Sequence, residues 1–240
     1  MKPGFLVTSA LNTKFGVHKT NQRMSQTLDS ILSIKEHCPD AHITIMEMAG
    51  EPLQKEQAEV LNQFVDVLID FSKDAEVQQL YNSTENWDIV KNLNEITCFS
   101  QTLHMILNNP NEYAGIDRFF KLSGRYTLNE DFKIKDYSKA KYKDKIVFAK
   151  RRNSQFDPKI TGGVATQFMS RCWSFPAAEV EKIQKAFVAM RLCMIDILQK
   201  GGYLDIEHLL MLYIEPLNIL EVEKIGVQGL LGPNRQAVRD

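Results

Sequence analysis

The feature that most constrains the fold is a strand, a helix and a second strand within the first 48 residues. Residues 5–9 and 41–48 are short apolar runs rich in β-forming side chains, which is typical of buried strands. Between them, residues 23–37 carry apolar side chains at helical spacing, and Pro39 follows the end of this helix. Strands joined through a helix can pair in parallel. The pattern therefore predicts an α/β protein with a mostly parallel central sheet flanked by helices.

The same alternation continues along the chain, whose 240 residues suit one α/β domain. Residues 72–93 are polar and weakly patterned, which favours a variable loop with a short helix. Further strands are predicted at residues 65–71, 119–122, 146–149, 164–170 and 219–227, and further helices at 52–64, 94–108, 176–200 and 205–213.

Charge and hydropathy exclude several classes of protein. The chain has 29 Lys and Arg against 30 Asp and Glu, so no overall field favours a polyanion and we expect no nucleic-acid partner. No apolar stretch approaches the ~20 residues that cross a bilayer, and the first residues lack the apolar core of a signal peptide. We expect a cytoplasmic protein with no membrane span. The oligomeric state cannot be predicted from these features.

A polar break follows the middle strand, in the stretch IDRFFKLSGRYTLNEDF. The strand stops at Ser123 and Gly124, and Arg125 and Tyr126 come directly after it. Ligands of open α/β sheets bind outside the carboxyl ends of the strands. This stretch is therefore the first candidate binding site. The alternative is that Ser123 and Gly124 form only a turn and that Arg125 makes an ion pair across the sheet.

Four stretches carry a resemblance to a known family. They are the first strand and loop FLVTSALN, the middle strand DRFFKLSGRYTLN, the strand TGGVATQFMSR and the late acidic helix YLDIEHLL. In this order they resemble the sugar-nucleotide glycosyltransferases of the GT-A type. The resemblance covers most of the chain and implies one Rossmann-like GT-A domain over residues 1–240, with a nucleotide-binding half at 1–132 and an acceptor-side half at 133–240.

The resemblance also implies a nucleotide-sugar donor at the strand ends of the first half. The family places an Asp-x-Asp motif for Mg²⁺ or Mn²⁺ on the middle strand, and this motif is absent from residues 121–126. Lys121 and Arg125 can neutralise a diphosphate instead, because a guanidinium forks onto phosphate oxygens. We therefore expect no essential metal and no other cofactor, although Mg or Mn binding stays open. Expected donor contacts are Thr8, Ser9, Asn12, Arg23, Asp70, Lys121, Ser123, Gly124, Arg125 and Tyr126.

Residues of the second half are expected to bind the acceptor sugar. Gly162 and Gly163 allow the backbone to approach a ligand closely, and Gln167 adds a side-chain amide. A plain loop that enters a strand would explain the two glycines equally well. In the same way, an ordinary capped connection would explain the polar residues after the first strand.

Catalysis is expected from Asp205, Glu207 and His208, three titratable groups at the start of a short helix. A transfer that inverts configuration needs a general base to take the proton of the acceptor hydroxyl. We expect Asp205 or Glu207 in this role, since Glu207 and His208 point to different sides of a helix. The alternative for Asp205 is that it only caps the helix.

These residues predict a glycosyltransferase that moves a sugar from a nucleotide-diphosphate sugar to a saccharide-like hydroxyl acceptor. The missing acidic motif leaves a second interpretation open, a nucleotide- or glycan-binding protein on the same scaffold that has lost catalysis. Gln228 and Arg235 are further candidates for phosphate contact in a late loop. The basic cluster at residues 150–152 either binds pyrophosphate or is a solvated face.

Overall fold

The computed structural model describes residues 1–230 and 236–240. Its first half contains β1 (Pro3–Ser9), α1 (Thr20–His37), β2 (His42–Glu47), α2 (Lys55–Asn62), β3 (Val67–Asp70), α3 (Ala75–Ser83), α4 (Trp87–Asn108), β4 (Arg118–Ser123) and β5 (Tyr126–Leu128). Its second half contains α5 (Ala140–Lys143), β6 (Ile146–Ala149), β7 (Arg152–Asn153), β8 (Thr166–Gln167), β9 (Cys172–Pro176), α6 (Val180–Gln199), α7 (Ile206–Tyr213), β10 (Ile219–Val222), β11 (Val227–Leu230) and β12 (Ala237–Arg239).

A seven-stranded sheet forms the centre of the fold, in the order β10-β6-β9-β4-β1-β2-β3. Neighbouring strands are parallel except where β9 pairs with β4 and with β6. This confirms the predicted α/β class, with a mostly parallel central sheet flanked by helices. A second sheet, β12-β11-β5, and the two-stranded pair β7-β8 lie beside it.

The strand order places a crevice at the carboxyl ends of β1 and β4. The chain builds β1, β2 and β3 outward in one direction and then returns to add β4 on the other side of β1. In open α/β sheets this reversal marks the ligand-binding crevice. Gly124, directly after β4, donates its backbone N–H to the carbonyl oxygen of Thr8 at 2.8 Å. A Cβ at Gly124 would lie 2.9 Å from that oxygen, so only glycine lets the two strand ends approach this closely.

Side chains alternate between two apolar layers, as the strand periodicity requires. On one face, Leu6 of β1 joins α4 and α6 in a core where the rings of Phe99 and Phe187 lie 4.6 Å apart. On the other face, Phe5 stacks on Phe120 at 5.0 Å beneath α1. The sheet is thus covered on both faces, and the edge formed by its strand ends stays open for a ligand.

Three predictions of secondary structure were wrong. Residues 72–93 are mostly helical, because α3 lies within them and α4 begins at Trp87, where the Asn86 side chain accepts hydrogen bonds from the first backbone N–H groups of the helix. The predicted strand at 164–170 contains only β8, and the buried strand of this region is β9, which was not predicted. The predicted strand at 219–227 is interrupted, since β10 and β11 belong to different sheets.

Helix length and hydropathy bear on membrane insertion. Within residues 1–230 and 236–240, no helix is long and apolar enough to cross a membrane.

Candidate functional site

A cleft of about 1110 Å³ opens at the carboxyl ends of β1 and β4. One wall is formed by the end of β1 and the loop after it, and another by one face of α4. Residues 123–126, Gln167, residues 169–171, the start of α7 and β12 also line it, together with Met48, Ala49, Tyr81, Arg152, Asn153 and Gln155. The volume is typical of sites for ligands of nucleotide size. Ten of the residues predicted for the site line it: Thr8, Ser9, Arg23, Ser123, Gly124, Arg125, Tyr126, Gln167, Asp205 and Glu207.

Arg125 presents an uncompensated positive charge to the cleft. Its side chain is half-buried, and its guanidinium has no ion-pair or hydrogen-bond partner in the part of the chain that the structure describes. The charge of Arg125 lowers the pKa of Arg23, on which burial has the larger effect in the same direction. A guanidinium with free donors beside a second one is suited to a phosphate or a carboxylate.

Lys121 lies behind the cleft wall and does not reach the cleft. Its ammonium is 2.5 Å from the carboxylate of Glu95 on α4, and it donates hydrogen bonds to Ser123 Oγ and to the carbonyl oxygen of Ser170, both at 2.7 Å. Burial lowers the pKa of Lys121, and the negative charge of Glu95 raises it by a smaller amount. This corrects the expected phosphate contact of Lys121, because all of its donors are already used inside the protein.

Arg23 lines the cleft but holds the loop after β1 in place. Its guanidinium donates to the carbonyl oxygens of Ala10, Phe15 and His18 at 2.9–3.0 Å. Three of its five N–H donors are therefore engaged by the loop. Arg23 shapes the loop, and because it also lines the cleft with two N–H donors left, its expected contact with the donor stays a prediction.

Two other predicted donor contacts lie outside the cleft. Asn12 exchanges hydrogen bonds with the side chain of Gln57 and donates to the carbonyl oxygen of Pro52. Asp70 accepts from the backbone N–H groups of Ser72 and Leu53. These hydrogen bonds join the loop after β1 and the end of β3 to the segment around Pro52 and Leu53, and neither side chain lines the cleft.

Glu207 is the titratable group best placed for proton transfer. Its carboxylate accepts hydrogen bonds from the backbone N–H and the hydroxyl of Ser170, at 3.1 and 3.2 Å, and from Gln167 Nε2 at 3.1 Å. Burial raises the pKa of Glu207, and the charge of Asp205 raises it further, against the opposing charge of Lys91. A carboxyl held at the wall of a cleft with a raised pKa can serve as a general base or acid.

Asp205 and His208 are engaged in the structure of α7. Asp205 Oδ1 accepts from the backbone N–H groups of Glu207 and His208, both at 3.0 Å, and thus caps the helix. The His208 ring is fully buried between Asp205 Oδ1 at 2.6 Å and Ser154 Oγ at 2.8 Å. The expectation of a catalytic His208 is therefore corrected, because both ring nitrogens are engaged away from the cleft.

The remaining predictions fall outside the cleft or outside the described residues. Gly162 and Gly163 have positive φ angles of 62° and 93°, but they do not line the cleft. Gln228 lies on β11, away from the cleft lining, and Arg235 lies outside the described residues. In the basic cluster, Lys150 pairs with Glu223, Arg151 with Glu221, and Arg152 with Asp240.

The structure adds residues that sequence patterns did not indicate. Trp87, Lys91, Asn94 and Glu95 bring one face of α4 into the cleft. Their spacing of four, three and one residues is that of one helix face. It was not used because the polar residues at the start of α4 favoured a loop over a helix.

The buried Asp240 side chain holds two arginines that line the cleft. It accepts a hydrogen bond from Arg171 at 2.6 Å and is paired with Arg152. These two ion pairs join the end of β12 to β7 and to the segment before β9, which are distant from it in the chain.

A metal site needs several His, Cys, Asp or Glu side chains close together. Within residues 1–230 and 236–240, no group of three or more His, Cys, Asp or Glu side chains is arranged to hold a metal ion. The end of β4 offers a hydroxyl, a glycine and a guanidinium, and oxygen-seeking cations such as Mg²⁺ prefer carboxylates. The residues at this position therefore do not fit the metal-binding motif of the family that the sequence resembles.

Comparison with known proteins gives no assignment. No protein-family model and no curated protein matches this sequence.

We predict that Lys121→Met lowers the free energy of unfolding by about 3–5 kcal/mol, because it leaves the buried Glu95 carboxylate without its partner. The double variant Lys121→Met/Glu95→Gln should recover a substantial part of this loss, since no unpaired charge remains. Urea denaturation measures both.

The exposed pair of Lys185 and Glu181 on α6 provides the matched control. Lys185→Met should leave the urea midpoint within error of the wild type. A double variant no more stable than Lys121→Met alone would contradict the interpretation that Lys121 serves to neutralise Glu95.

Proposed function

We propose that this protein is a GT-A-like glycosyltransferase that moves a sugar from a nucleoside-diphosphate sugar to a hydroxyl acceptor. The observation that carries the proposal is the guanidinium of Arg125, unpaired among the described residues, in a cleft that also contains Glu207, a carboxyl with a raised pKa. The first group is suited to a diphosphate leaving group, and the second to a hydroxyl nucleophile.

The donor lies in this proposal at the ends of β1 and β4. Thr8, Ser9 and the loop after them face the nucleoside, and Arg125 contacts the diphosphate. When the bond between the anomeric carbon and the phosphate oxygen breaks, negative charge grows on the diphosphate. A guanidinium already in place stabilises this charge without reorganisation.

The acceptor approaches from the side of α7. In an inverting transfer, the acceptor oxygen forms the new bond to the anomeric carbon while its proton passes to Glu207. Ser170 and Gln167 hold the carboxylate in one orientation for this step. Asp205 raises the pKa of Glu207 and so makes it a stronger base at neutral pH.

A second candidate function is binding of a nucleotide or glycan without turnover. The observation that favours it is that Glu207 accepts three hydrogen bonds and Asp205 caps α7, so a structural role accounts for both carboxylates. Turnover by the wild type, measured as hydrolysis or transfer of a nucleotide sugar, separates the two functions.

We predict that at least one of UDP, GDP and CMP, or of the sugar nucleotides that carry them, raises the melting temperature of the wild type. A ligand present at 100 times its Kd adds about 2.7 kcal/mol of stability. For a diphosphate ligand found in this way, Arg125→Ala should weaken binding about ten-fold or more by calorimetry, because charge-assisted hydrogen bonds are lost. Binding of the corresponding nucleoside should change little.

Arg239→Ala is the matched control for Arg125→Ala. Arg239 also lines the cleft, but it is already paired with Glu130 and Asp131. Its removal should leave diphosphate affinity nearly unchanged. Equal losses of nucleoside and nucleotide binding in Arg125→Ala would mean that Arg125 does not contact phosphate.

We predict that the rate of transfer rises with pH through an apparent pKa above the ordinary value of a glutamate, because Glu207 must be deprotonated to accept a proton. Glu207→Gln should remove this limb of the pH–rate profile and lower kcat about 10²–10⁴-fold. The variant should stay folded, since Gln167 can reverse its amide to pair with the new side chain.

Asp205→Asn separates the two candidate bases. An asparagine oxygen can still accept the capping hydrogen bonds of α7, so the helix should persist. The variant should keep most of its kcat if Glu207 is the base. Loss of activity in Asp205→Asn with retention in Glu207→Gln would reverse the assignment.

A further inference from the structure

One face of α4 forms a continuous wall of the cleft. Trp87, Lys91, Asn94 and Glu95 all line it, and their spacing of i, i+4, i+7 and i+8 places them on the same side of the helix. Glu95 is paired with Lys121 beneath the wall. The other three side chains have no role in the proposed donor contacts, and each offers a different kind of interaction.

Lys91 offers a free positive charge. Six Lys and Arg side chains line the described part of the cleft, and four of them are engaged by protein partners: Arg23, Arg152, Arg171 and Arg239. Only Lys91 and Arg125 have no hydrogen-bond or ion-pair partner within residues 1–230 and 236–240. The cleft therefore has two places for anionic groups.

The two free cations lie on different elements of the cleft, Lys91 on α4 and Arg125 directly after β4. Both charges lower the pKa of Glu95 on α4, so the two are not electrostatically independent. The charge of Arg125 also lowers the pKa of Arg23, and that of Lys91 opposes the raised pKa of Glu207. Lys91 thus belongs to the wall formed by α4, and Arg125 to the strand ends proposed to hold the donor.

Two buried amide oxygens of residues that line the cleft have no hydrogen-bond donor within residues 1–230 and 236–240. They are Asn94 Oδ1 and Gln167 Oε1, and both residues line the cleft. Their side chains are 4% and 2% exposed. A buried carbonyl oxygen without a partner is unfavourable, so a hydrogen bond donated by a ligand would stabilise each of them. Ligand hydroxyl groups are suitable donors.

Trp87 offers a flat apolar surface at the first turn of α4. Its side chain is 45% exposed, although tryptophan usually buries most of its large apolar area. An exposed indole in a cleft can pack against the apolar face of a ring in a ligand.

We propose that this face of α4 binds the acceptor, and that the acceptor is an anionic sugar that carries a carboxylate or a phosphate group. Lys91 binds the anionic group, Asn94 and Gln167 accept hydrogen bonds from sugar hydroxyls, and Trp87 packs against the ring. The inference rests on the proposed function in one respect, that Glu207 takes the proton of this acceptor.

The test compares anionic sugars with neutral sugars of the same shape, in the absence of any nucleotide. Binding of methyl glucuronide and methyl galacturonide is measured by ligand-observed NMR titration against methyl glucoside and methyl galactoside. The wild type should prefer at least one anionic sugar over its neutral counterpart about ten-fold or more. Glucose 6-phosphate and galactose 6-phosphate show whether phosphate or carboxylate is the preferred group.

Variants of Lys91 show whether this residue causes the preference. Lys91→Ala should reduce it to about two-fold or less while binding of the neutral sugar stays unchanged, and Lys91→Arg should retain it. Lys35→Ala is the matched control, because Lys35 is an exposed helical lysine that does not line the cleft. Lys91 is exposed on a helix, so its replacement leaves the fold intact.

Each possible result either supports or overturns the proposal that this face of α4 binds an anionic acceptor. Equal affinity for anionic and neutral sugars in the wild type overturns it, as does a preference that survives in Lys91→Ala. Failure of the donor proposal is a separate result, since a protein that binds no nucleotide could still prefer an anionic sugar through Lys91. Nucleotide binding without any preference for anionic sugars would retain the donor site and remove the acceptor assignment.

Discussion

The buried ion pair between Lys121 and Glu95 connects the elements on which the rest of the cleft depends. It joins β4 to α4, and the same ammonium holds Ser123 and the carbonyl oxygen of Ser170. Ser170 in turn donates two hydrogen bonds to Glu207. One buried cation therefore links the end of β4, the wall formed by α4 and the carboxyl proposed for catalysis. Buried charges are tolerated only when they are paired and hydrogen-bonded, which gives this network its rigidity.

The network leaves a cleft with separated charges. Most of the cations that line the described part of it are either hydrogen-bonded to carbonyl oxygens, as Arg23 is, or paired with carboxylates such as Asp240. The positive charges that stay available lie on different elements, Arg125 directly after β4 and Lys91 on α4, and both lower the pKa of Glu95. Such an arrangement offers places for two anionic groups. In the proposed reaction these are the diphosphate of the donor and the acidic group of the acceptor.

The class of the fold followed from periodicity, and the roles of individual residues did not. Apolar runs at residues 5–9 and 41–48 predicted β1 and β2 because buried parallel strands need continuous apolar sequence. The start of α4 was missed because its polar side chains line the cleft and interrupt the apolar periodicity of the helix. β9 was missed because its five residues are too few to separate by pattern from the helix that follows.

Pairing in three dimensions decided which polar residues can bind a ligand. Lys121 and Arg125 look equivalent in sequence, yet Glu95 neutralises the first and no described residue pairs with the second. Asn12 and Asp70 follow strands as binding residues do, but their partners lie in the protein. No local pattern reveals Glu95, Gln57 or Leu53 as partners, because each is distant in the chain from the residue with which it pairs.

The most direct test of the proposed function is a crystal structure with a nucleoside diphosphate or nucleotide sugar found by the thermal screen. The proposed function predicts the diphosphate within hydrogen-bond distance of the Arg125 guanidinium, with the nucleoside against Thr8 and Ser9 at the end of β1. A nucleotide bound elsewhere, or one whose phosphates lie away from Arg125, would contradict it.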